Sequence, residues 1–514
     1  MRNRMKRMAV LGVAAMLVFG GCAEKEQNEV TKTPVIENVQ EEVSEEETAI
    51  ETEETIASEP IGIHMTTNQK TYYFEEGETA YLHLQYCDVT VDTEVHSNLK
   101  RNLENWSMER SEGLRSLYTA FEEAASEAGG EDQNVGYSLY QNISSARIDD
   151  TVVSLLDDTY QYMGGERGSF FRQGINFDVE SGKRLSLSDI LSDDSLFISK
   201  AVEQMVQELS ENYGAELKEG YETVVEEMWQ SETEPAWYLD ASGIVIVLQE
   251  GLVGPYEMGT PEIHLPYAEF APYIKAAYLP NTSQGIQSFA VNQEIFLELP
   301  EIGKTLPMML TYETEEMMMR STLKLGEKEL LLLEYAYVES AYLVRSGEEV
   351  YCLIEVDMAS DDYVTFIYRL TNGLIEKVEE INASVDEGNV NSREIVMESW
   401  VYFLGTYGGV KAYHFDENHE FVTEDTEYIL HRNHFALRTK TELPVIIGGA
   451  ESILPTGSNI VLNATDGETY VKFTIQETGQ EGILNVQRAA GDYYHVTIAG
   501  QNEYDCFEDL PYAG

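Results

Sequence analysis

Alternating hydrophobic and polar positions predict a β-hairpin near residue 70. Apolar side chains recur at every second position in 72–74 and again in 82–86, and the two runs are separated by the polar turn 75–78. The alternation changes phase at Cys87 before it resumes at Val89. That change predicts a β-bulge or the end of a strand at this point.

The next segment has the three-to-four-residue spacing of an amphipathic helix. Its apolar positions are Val95, Leu99, Leu103, Trp106, Leu114, Leu117, Phe121 and Ala124. The spacing predicts one long helix over 95–128, with a break near Gly113 as the alternative. Gly129 and Gly130 predict its end, because glycine commonly follows the last helical turn.

Several strands are predicted after this helix. Strand-like runs occupy 135–140, 150–156 and 170–179, where apolar and polar residues again alternate. Residues 244–248 are apolar on both faces, which predicts a strand in the middle of a sheet.

Two more helices are predicted between these strands. Ser195 can cap a helix that ends at Gly214, and a second, more polar helical segment covers about 216–229. Residues 61–278 are therefore predicted to form an α+β unit, a mostly antiparallel sheet with two or three helices.

The helical period disappears after Pro280. Short strand-like runs separated by Gly, Asn and Asp turns continue to the end of the chain, which is typical of an all-β region. We predict one β-rich region over 281–395 and a second over 396–514. The turns of 454–514 predict that the second ends in a small barrel-like module.

The N-terminal segment has the layout of a secretory signal. A basic head precedes the apolar run 8–19, and Gly20 and Gly21 lead to Cys22. This ending resembles a bacterial lipobox, so we predict that 1–22 is a lipoprotein signal peptide and that Cys22 is lipidated. The alternative, a transmembrane anchor, requires about 20 apolar residues.

Composition separates a tether from the folded part of the chain. Residues 23–60 contain thirteen Glu, two Lys and no aromatic residue or glycine. Such a segment buries too little apolar surface to fold, so it is predicted to be a disordered acidic tether. The whole chain, in contrast, is 43% hydrophobic and 10% aromatic, enough for several folded domains.

The net charge of −59, from 33 basic and 92 acidic residues, restricts the partners. It opposes binding to nucleic acid and favours a cationic partner. The alternative interpretation is that acidity only keeps an exported protein soluble. Beyond Cys22, the three cysteines Cys87, Cys352 and Cys506 cannot all pair, so no disulfide framework is predicted.

Motifs for catalysis are absent from the sequence. There is no nucleophile elbow, HExxH or CxxC, and the Gly303-Lys304-Thr305 triplet is preceded by Glu298 where a phosphate loop needs glycine. The spacing of His414 and His419, and of His431 and His434, leaves a metal site open, although scattered histidines are usually solvated. We predict no catalytic residue, no metal and no cofactor.

Tyrosine is abundant, with thirty-two residues that include local clusters such as Tyr160 and Tyr162. Exposed tyrosine suits protein or glycan recognition, because it combines a rigid apolar ring with a hydroxyl group. The alternative is that these rings only pack on a sheet.

Two stretches carry a family resemblance. The first is Tyr162-Met163-Gly164-Gly165 followed by the runs 175–179, 182–183 and 185–191, and the second is 254–259 leading to 263–267. Together they resemble the RsiV-type extracytoplasmic domain over 166–278. The hairpin and helix of 61–165 resemble the module that precedes this domain and that also occurs in PdaC-type peptidoglycan deacetylases.

The resemblance implies a sensor domain that binds lysozyme outside the membrane. The binding candidates are Pro255, Tyr256 and Gly259 in one loop and Gly164 and Gly165 in another; the alternative for Pro255 and Gly259 is that they only shape a turn.

The chain also departs from the family pattern. Glu166-Arg167 replaces Ala-His after the paired glycines, and Glu257 replaces an alanine. Only seven residues precede the apolar run, so no anti-sigma segment is expected, and the motifs of a deacetylase domain are absent.

We therefore expect a non-enzymatic lipoprotein on the extracytoplasmic face of the cell membrane. It would bind an extracellular protein or cell-wall ligand, and a lipid anchor would be its contact with the membrane. The alternatives are a peptidoglycan-acting envelope enzyme or enzyme accessory, and a structural envelope protein.

Overall fold

The computed structural model describes most of the chain after the predicted tether. The described residues are 61–73, 80–128, 136–231, 233–280, 284–299, 302–315, 318–334, 337–358, 363–391, 393–431, 436–488 and 495–512. The predicted signal peptide, Cys22 and the tether lie outside them.

Helices are concentrated in the first half. They are α1 (Ser97–Ala128), α2 (Leu187–Ile190), α3 (Asp194–Tyr213), α4 (Tyr221–Met228), α5 (Tyr267–Phe270) and α6 (Glu503–Cys506). Short 3-10 helices cover Gly214–Glu216, Tyr256–Met258, Ala271–Tyr273 and Ala276–Tyr278. Over the described ranges, no helix combines the length and apolar character needed to cross a membrane.

Strands make up most of the rest. In the first half they are β1 (Gly62–Tyr73), β2 (Ala80–Asp92), β3 (Tyr137–Asp149), β4 (Val152–Tyr162), β5 (Ser169–Asp178), β6 (Ala236–Leu239), β7 (Gly243–Val247) and β8 (Glu262–Pro266). Next come β9 (Gln284–Ser288), β10 (Glu294–Leu299), β11 (Lys304–Glu315), β12 (Met318–Leu325), β13 (Lys328–Glu334), β14 (Tyr337–Ser346), β15 (Glu349–Asp357), β16 (Tyr363–Thr371), β17 (Leu374–Ile381), β18 (Ser384–Asn391), β19 (Ile395–Tyr402) and β20 (Thr406–Phe415). The last are β21 (Phe421–Val422), β22 (Tyr428–His431), β23 (Leu437–Thr439), β24 (Leu443–Ile447), β25 (Ala450–Leu454), β26 (Asn459–Thr465), β27 (Tyr470–Ile475), β28 (Glu481–Asn485), β29 (Gln487–Arg488), β30 (Val496–Ile498), β31 (Gln501–Asn502) and β32 (Phe507–Glu508).

The fold class predicted from the sequence is confirmed. The first half combines sheet and helices, and from β9 onward the described chain is almost entirely strand. The hairpin of β1 and β2 is antiparallel, whereas β2 runs parallel to β3. Helix α1 makes the connection that a parallel pair requires, and it covers one face of this sheet.

Helix α1 is continuous through Gly113, so the prediction of one long helix is confirmed and the alternative break is not observed. A glycine inside a helix costs about 1 kcal/mol relative to alanine. The neighbouring Leu114 and Leu117 are buried against the sheet, and their packing offsets this cost. Val95 lies before the helix and is 63% exposed.

The predicted bulge or strand end at Cys87 was wrong. Strand β2 pairs with β1 without interruption there, and the irregularity lies at the hairpin end, between Tyr72 and Tyr73. The hydrophobic phase changes because β2 is buried on opposite faces at its two ends. Leu84 packs with α1, whereas Val89 belongs to a different core that includes strands of the β-rich half.

A second, three-stranded sheet of β6, β7 and β8 packs with α3 and α4. Strand β7 is its central strand, as predicted from its apolar residues. Helix α3 is capped by Asp193, whose side chain accepts a hydrogen bond from the Leu196 N–H, rather than by Ser195. It ends at Gly214 as expected, and α4 is shorter than the predicted 216–229.

The two halves of the chain share strands and a core. Strand β1 pairs with β18 as well as with β2, and β9 pairs with both β3 and β14. One hydrophobic core therefore contains side chains from both halves, among them Ile63, Phe177, Leu353 and Met397. The predicted domain limits stay a prediction. Backbone hydrogen bonds nevertheless join β9, which follows residue 280, to β3 of the first half and to β14 of the second half.

Five C-terminal strands form neighbouring antiparallel pairs, and the small barrel-like module stays a prediction. They run in the order β25-β24-β28-β27-β26, and among the described strands β25 pairs with β24 alone. A separate core of aliphatic and aromatic residues supports them. The three remaining cysteines, Cys87, Cys352 and Cys506, are free and buried.

Candidate functional site

The paired glycines of the sequence analysis lie in the loop between β4 and β5. Gly164 and Gly165 have φ angles of 75° and 128°, a region that L side chains rarely adopt. The Tyr162 hydroxyl donates a hydrogen bond of 3.1 Å to the Gly165 carbonyl oxygen and closes the turn. Glu166 and Arg167 are therefore presented at the exposed tip.

The second group of candidates lies in the loop between β7 and β8. Pro255 precedes the 3-10 helix Tyr256–Met258, and Gly259 ends it with a φ of 72°. Gly254 is also required, because a Cβ there would lie 2.3 Å from the Met258 sulfur. This packing holds the Tyr256 side chain outward, where it is 47% exposed.

The two loops contact each other. The guanidinium carbon of Arg167 lies 3.1 Å from the centroid of the Tyr256 ring, which is a cation–π contact. The same ring packs against Gly251, where a Cβ would lie 2.8 Å from it. Glu166 and Glu257 are exposed beside this pair. We call the surface formed by Gly164–Arg167 and Pro255–Gly259 the two-loop surface.

Hydrogen bonds to strand β5 fix the position of the second loop. The Gln249 side chain accepts from the Arg172 N–H at 3.3 Å and donates to the Arg172 carbonyl oxygen at 2.6 Å. The Glu250 carboxylate accepts from the Phe170 N–H at 3.1 Å. These bonds continue the pattern of a strand pair, so the loop is anchored to the sheet on which the first loop is built.

A partly buried charge network lies below the two-loop surface. The Arg172 guanidinium donates to both oxygens of Asp158, at 2.7 and 2.6 Å, and to Glu262 at 2.9 Å. The hydrogen bonds to Asp158 and the charge of Glu262 raise the pKa of Arg172. Such bidentate pairs orient their partners firmly, so the network ties β4, β5 and β8 together.

An aromatic row continues from this surface across the open face of the first sheet. The His83 and Tyr140 rings have centroids 6.3 Å apart and planes 23° apart, and Tyr140 and Tyr160 follow at 6.4 Å and 29°. Tyr160 is 37% exposed, and the other two rings are partly exposed. We call His83, Tyr140 and Tyr160 the aromatic strip.

The match to known families falls on this part of the chain. Residues 188–268 match the family described as "Protein of unknown function (DUF3298)".

Residues 188–268 form a DUF3298 domain.

The DUF3298 domain contains α3, α4, β6 to β8 and the loop with Pro255, Tyr256 and Gly259. Gly164 and Gly165 lie outside it, so the two-loop surface forms where the DUF3298 domain meets the preceding sheet.

Two solved structures are similar to this chain. A DUF3298 family protein from Pseudomonas aeruginosa PAO1 has 19% identity and a TM-score of 0.32, and the match covers 42% of this chain and 94% of that one. A member of the family from Bacteroides fragilis NCTC 9343 has 15% identity with the same TM-score and coverages. No curated protein matches the chain.

The DUF3298 domain also contains a buried serine, histidine and aspartate. The Ser242 hydroxyl donates to Asp240 at 2.7 Å and lies 3.1 Å from Nδ1 of His264. Asp240 also accepts the N–H groups of Ser242 and Gly243. Because all three side chains are buried and the carboxylate caps the turn between β6 and β7, this cluster stabilises the turn.

Histidines with metal-like spacing do not form a cluster in the described part of the chain. No group of three or more His, Cys, Asp or Glu able to hold an ion is found there. Nδ1 of His419 instead lies 3.1 Å from the Tyr351 hydroxyl. His434 and the side chain of His431 lie outside the described positions.

Local sequence patterns mark the two loops separately, and the structure brings them together. The contact between Arg167 and Tyr256 was not predicted, because the two residues are far apart in the chain. No sequence pattern groups His83 with Tyr140 and Tyr160. Their alignment follows from the parallel pairing of β2 with β3, which no local pattern indicates.

Proposed function

We propose that this chain is a non-enzymatic lipoprotein, anchored through Cys22 on the outer face of the membrane, that binds an extracellular protein. By its resemblance to RsiV-type domains, the ligand would be lysozyme or another cationic, cell-wall-active protein. The two-loop surface would be its binding site. The observation that carries the proposal is the contact between Arg167 and the exposed Tyr256 ring.

The composition of the two-loop surface supports this proposal. Interface hot spots are enriched in tyrosine and arginine that are held rigid before binding. Here the Tyr256 ring is fixed between Gly251 and Arg167, and the loop below it is bonded to β5. A rigid exposed ring of this kind loses little conformational entropy when a partner covers it.

Charge supports a cationic partner. The chain carries a net charge of −59, and exposed Glu166 and Glu257 flank the ring. Charge complementarity mainly accelerates association and is screened by salt. We therefore expect faster association with a basic protein at low ionic strength.

Binding of lysozyme to the immobilised full chain tests the proposal. We expect binding whose association rate falls as salt is raised from about 50 to about 300 mM. Tyr256→Ala should weaken binding about tenfold or more, the loss of about 1.4 kcal/mol expected for an interface anchor. The matched control is Tyr337→Ala, because Tyr337 is 55% exposed but lies on β14, away from the two-loop surface.

Two outcomes would contradict the proposal. Absence of binding at both salt concentrations would remove lysozyme as the ligand. Equal binding by the Tyr256→Ala variant, the Tyr337→Ala variant and the unmodified chain would show that the two-loop surface is not the binding site.

A further inference from the structure

The aromatic strip is built into the sheet as a continuous row. Its three residues lie on three adjacent strands, β2, β3 and β4, and Tyr140 is directly opposite Tyr160 in the antiparallel register. The strip is on the face of the sheet away from α1, because the alternate residues Leu84 and Leu139 pack with that helix. One side of the row is therefore open to a ligand.

A glycine holds the end of the strip in place. Gly168 lies under the Tyr160 side chain, and a Cβ at that position would be 2.4 Å from the ring and from its hydroxyl oxygen. The ring thus occupies space that any other residue at 168 would fill. Tyr160 remains 37% exposed despite this close contact.

The surroundings of the strip are neutral, in contrast to the chain as a whole. The Gln69 amide donates to the Gln85 side-chain oxygen at 3.0 Å, and Oγ1 of Thr71 lies 3.2 Å from Nδ1 of His83. Gln69 and Thr71 are exposed. Amides and hydroxyls of this kind can both donate and accept hydrogen bonds.

Nearby charged groups are directed elsewhere or are paired. The ammonium of Lys70 bonds to Glu122 of α1 at 3.2 Å, which places it on the opposite face of the sheet. Asp158, two residues before Tyr160, is held by Arg172. A cationic protein would thus find little charge to complement at the strip itself.

We propose that the aromatic strip binds a neutral chain of pyranose sugars. The C–H faces of such rings are weakly positive and pack on the negative faces of aromatic rings. Successive aromatic rings 6.3 and 6.4 Å apart can each contact a sugar of an extended chain. Gln69, Gln85 and Thr71 then hydrogen-bond to the hydroxyl or acetamido groups at the edge of the sugars.

This site is separate from the two-loop surface and does not depend on the proposed function. The strip lies on strand side chains of β2 to β4, whereas the protein ligand would contact Arg167 and Tyr256. The two sites meet at Gly168, next to Arg167 in the chain. A protein bound at one site and a sugar chain at the other would be neighbours.

Calorimetric titration of the full chain with chitohexaose and with cellohexaose tests the proposal. The first sugar carries acetamido groups and the second only hydroxyl groups, so the two titrations show which substituents the strip accepts. We expect at least one of them to bind with a measurable dissociation constant. Tyr160→Ala should weaken that binding about tenfold, whereas Tyr160→Phe, which keeps the ring, should change it less than about twofold.

Gly168→Ala is the sharper variant, because it substitutes none of the three strip residues. Its new methyl group must displace the Tyr160 ring, so we expect sugar binding to weaken about tenfold. The matched controls are Tyr337→Ala and Tyr256→Ala, which should leave sugar binding unchanged. Thermal unfolding reports whether each variant is folded.

Several results would overturn the proposal. One is the absence of binding by both hexasaccharides at millimolar concentration. Another is equal loss in Tyr160→Phe and Tyr160→Ala, which would exclude ring stacking. A third is loss of lysozyme binding, but not of sugar binding, in Tyr140→Ala, which would assign the strip to the protein ligand. Retained sugar binding with lost lysozyme binding in Tyr256→Ala would support two separate sites.

Discussion

Replacing Glu355 by glutamine should remove a pH-dependent loss of stability. Glu355 lies on β15 in the middle of the β-rich half and is only 6% exposed. One carboxylate oxygen accepts a hydrogen bond of 2.9 Å from the Val385 N–H. Burial raises the pKa of Glu355 to about 7, the Val385 bond opposes the shift, and the negative charges of Glu387 and Glu339 add to it.

The sign of the effect follows from proton binding. When a carboxyl has a higher pKa in the folded state than in the unfolded state, the folded state binds more protons than the unfolded state at pH values between the two pKa values. Stability is unaffected below the ordinary glutamate pKa of 4.5, falls as the pH rises through the interval, and stays lower above pH 7. At 1.36 kcal/mol per pKa unit, the shift corresponds to a loss of roughly 3 kcal/mol in the free energy of unfolding.

Glu355→Gln keeps the shape of the side chain and an oxygen that can accept the Val385 N–H, but it cannot ionise. We expect the free energy of unfolding of the variant, relative to the wild type, to increase by up to about 3 kcal/mol between pH 4.5 and pH 8. Urea denaturation of both proteins at pH 4.5, 6 and 8 measures this. The control is Glu451→Gln, which neutralises an exposed carboxylate on β25.

A difference between the Glu355→Gln variant and the wild type that does not change with pH would refute the reasoning. So would an equal pH-dependent change in Glu451→Gln, because it would assign the effect to net charge rather than to burial. A decrease in the relative stability of the variant at pH 8 would show that the ionised carboxylate is stabilised in the folded state.

Three further predictions concern the first half. Arg147→Met should lower the free energy of unfolding, measured by urea denaturation, by about 3–5 kcal/mol, because it leaves the fully buried Asp149 without its 2.6 Å ion pair. A loss below about 1 kcal/mol would contradict this role of the ion pair. Asp193→Ala should cost about 1 kcal/mol by removing the cap of α3, and recovery in Asp193→Ser would confirm the cause. Gly254→Ala should weaken lysozyme binding in the immobilised-chain assay, because its Cβ displaces Met258 below Tyr256; unchanged binding would show that the loop tolerates the shift.

Local patterns predicted the secondary structure well where one face of an element is buried along its whole length. Helix α3 is an example, because its buried residues Phe197, Ala201, Met205 and Leu209 repeat every four positions. Strand β7, apolar on both faces, was placed correctly in the centre of its sheet. Helix α3 is buried along one face and β7 along both faces, so the hydrophobic pattern of each element is the same from end to end.

Prediction failed where one element serves two cores. Strand β2 contributes Leu84 to one core with α1 and Val89 to another core that also contains strands of the β-rich half, so its hydrophobic phase changes without any bulge. The pairing of β1 with β18 was not predicted either, because it joins residues more than 300 positions apart.

The candidate site was predicted only in part. Glycines and a proline marked both loops, since turns with positive φ need such residues. The contact between Arg167 and Tyr256 depends on how the DUF3298 domain docks on β5, which Gln249 and Glu250 determine through hydrogen bonds to the backbone. Side chains that bond to a distant backbone leave no periodic signal in the sequence.

The pairing of β1 with both β2 and β18 has a consequence for the order of folding. Gly62 is aligned with Asn391, so the first described strand lacks one neighbour until the chain has been synthesised beyond that point. Contacts with such large sequence separation give a high contact order, which slows folding. A nascent chain would therefore hold an open strand edge for most of its synthesis, and a chaperone that shields this edge would be expected to increase the yield of folded protein.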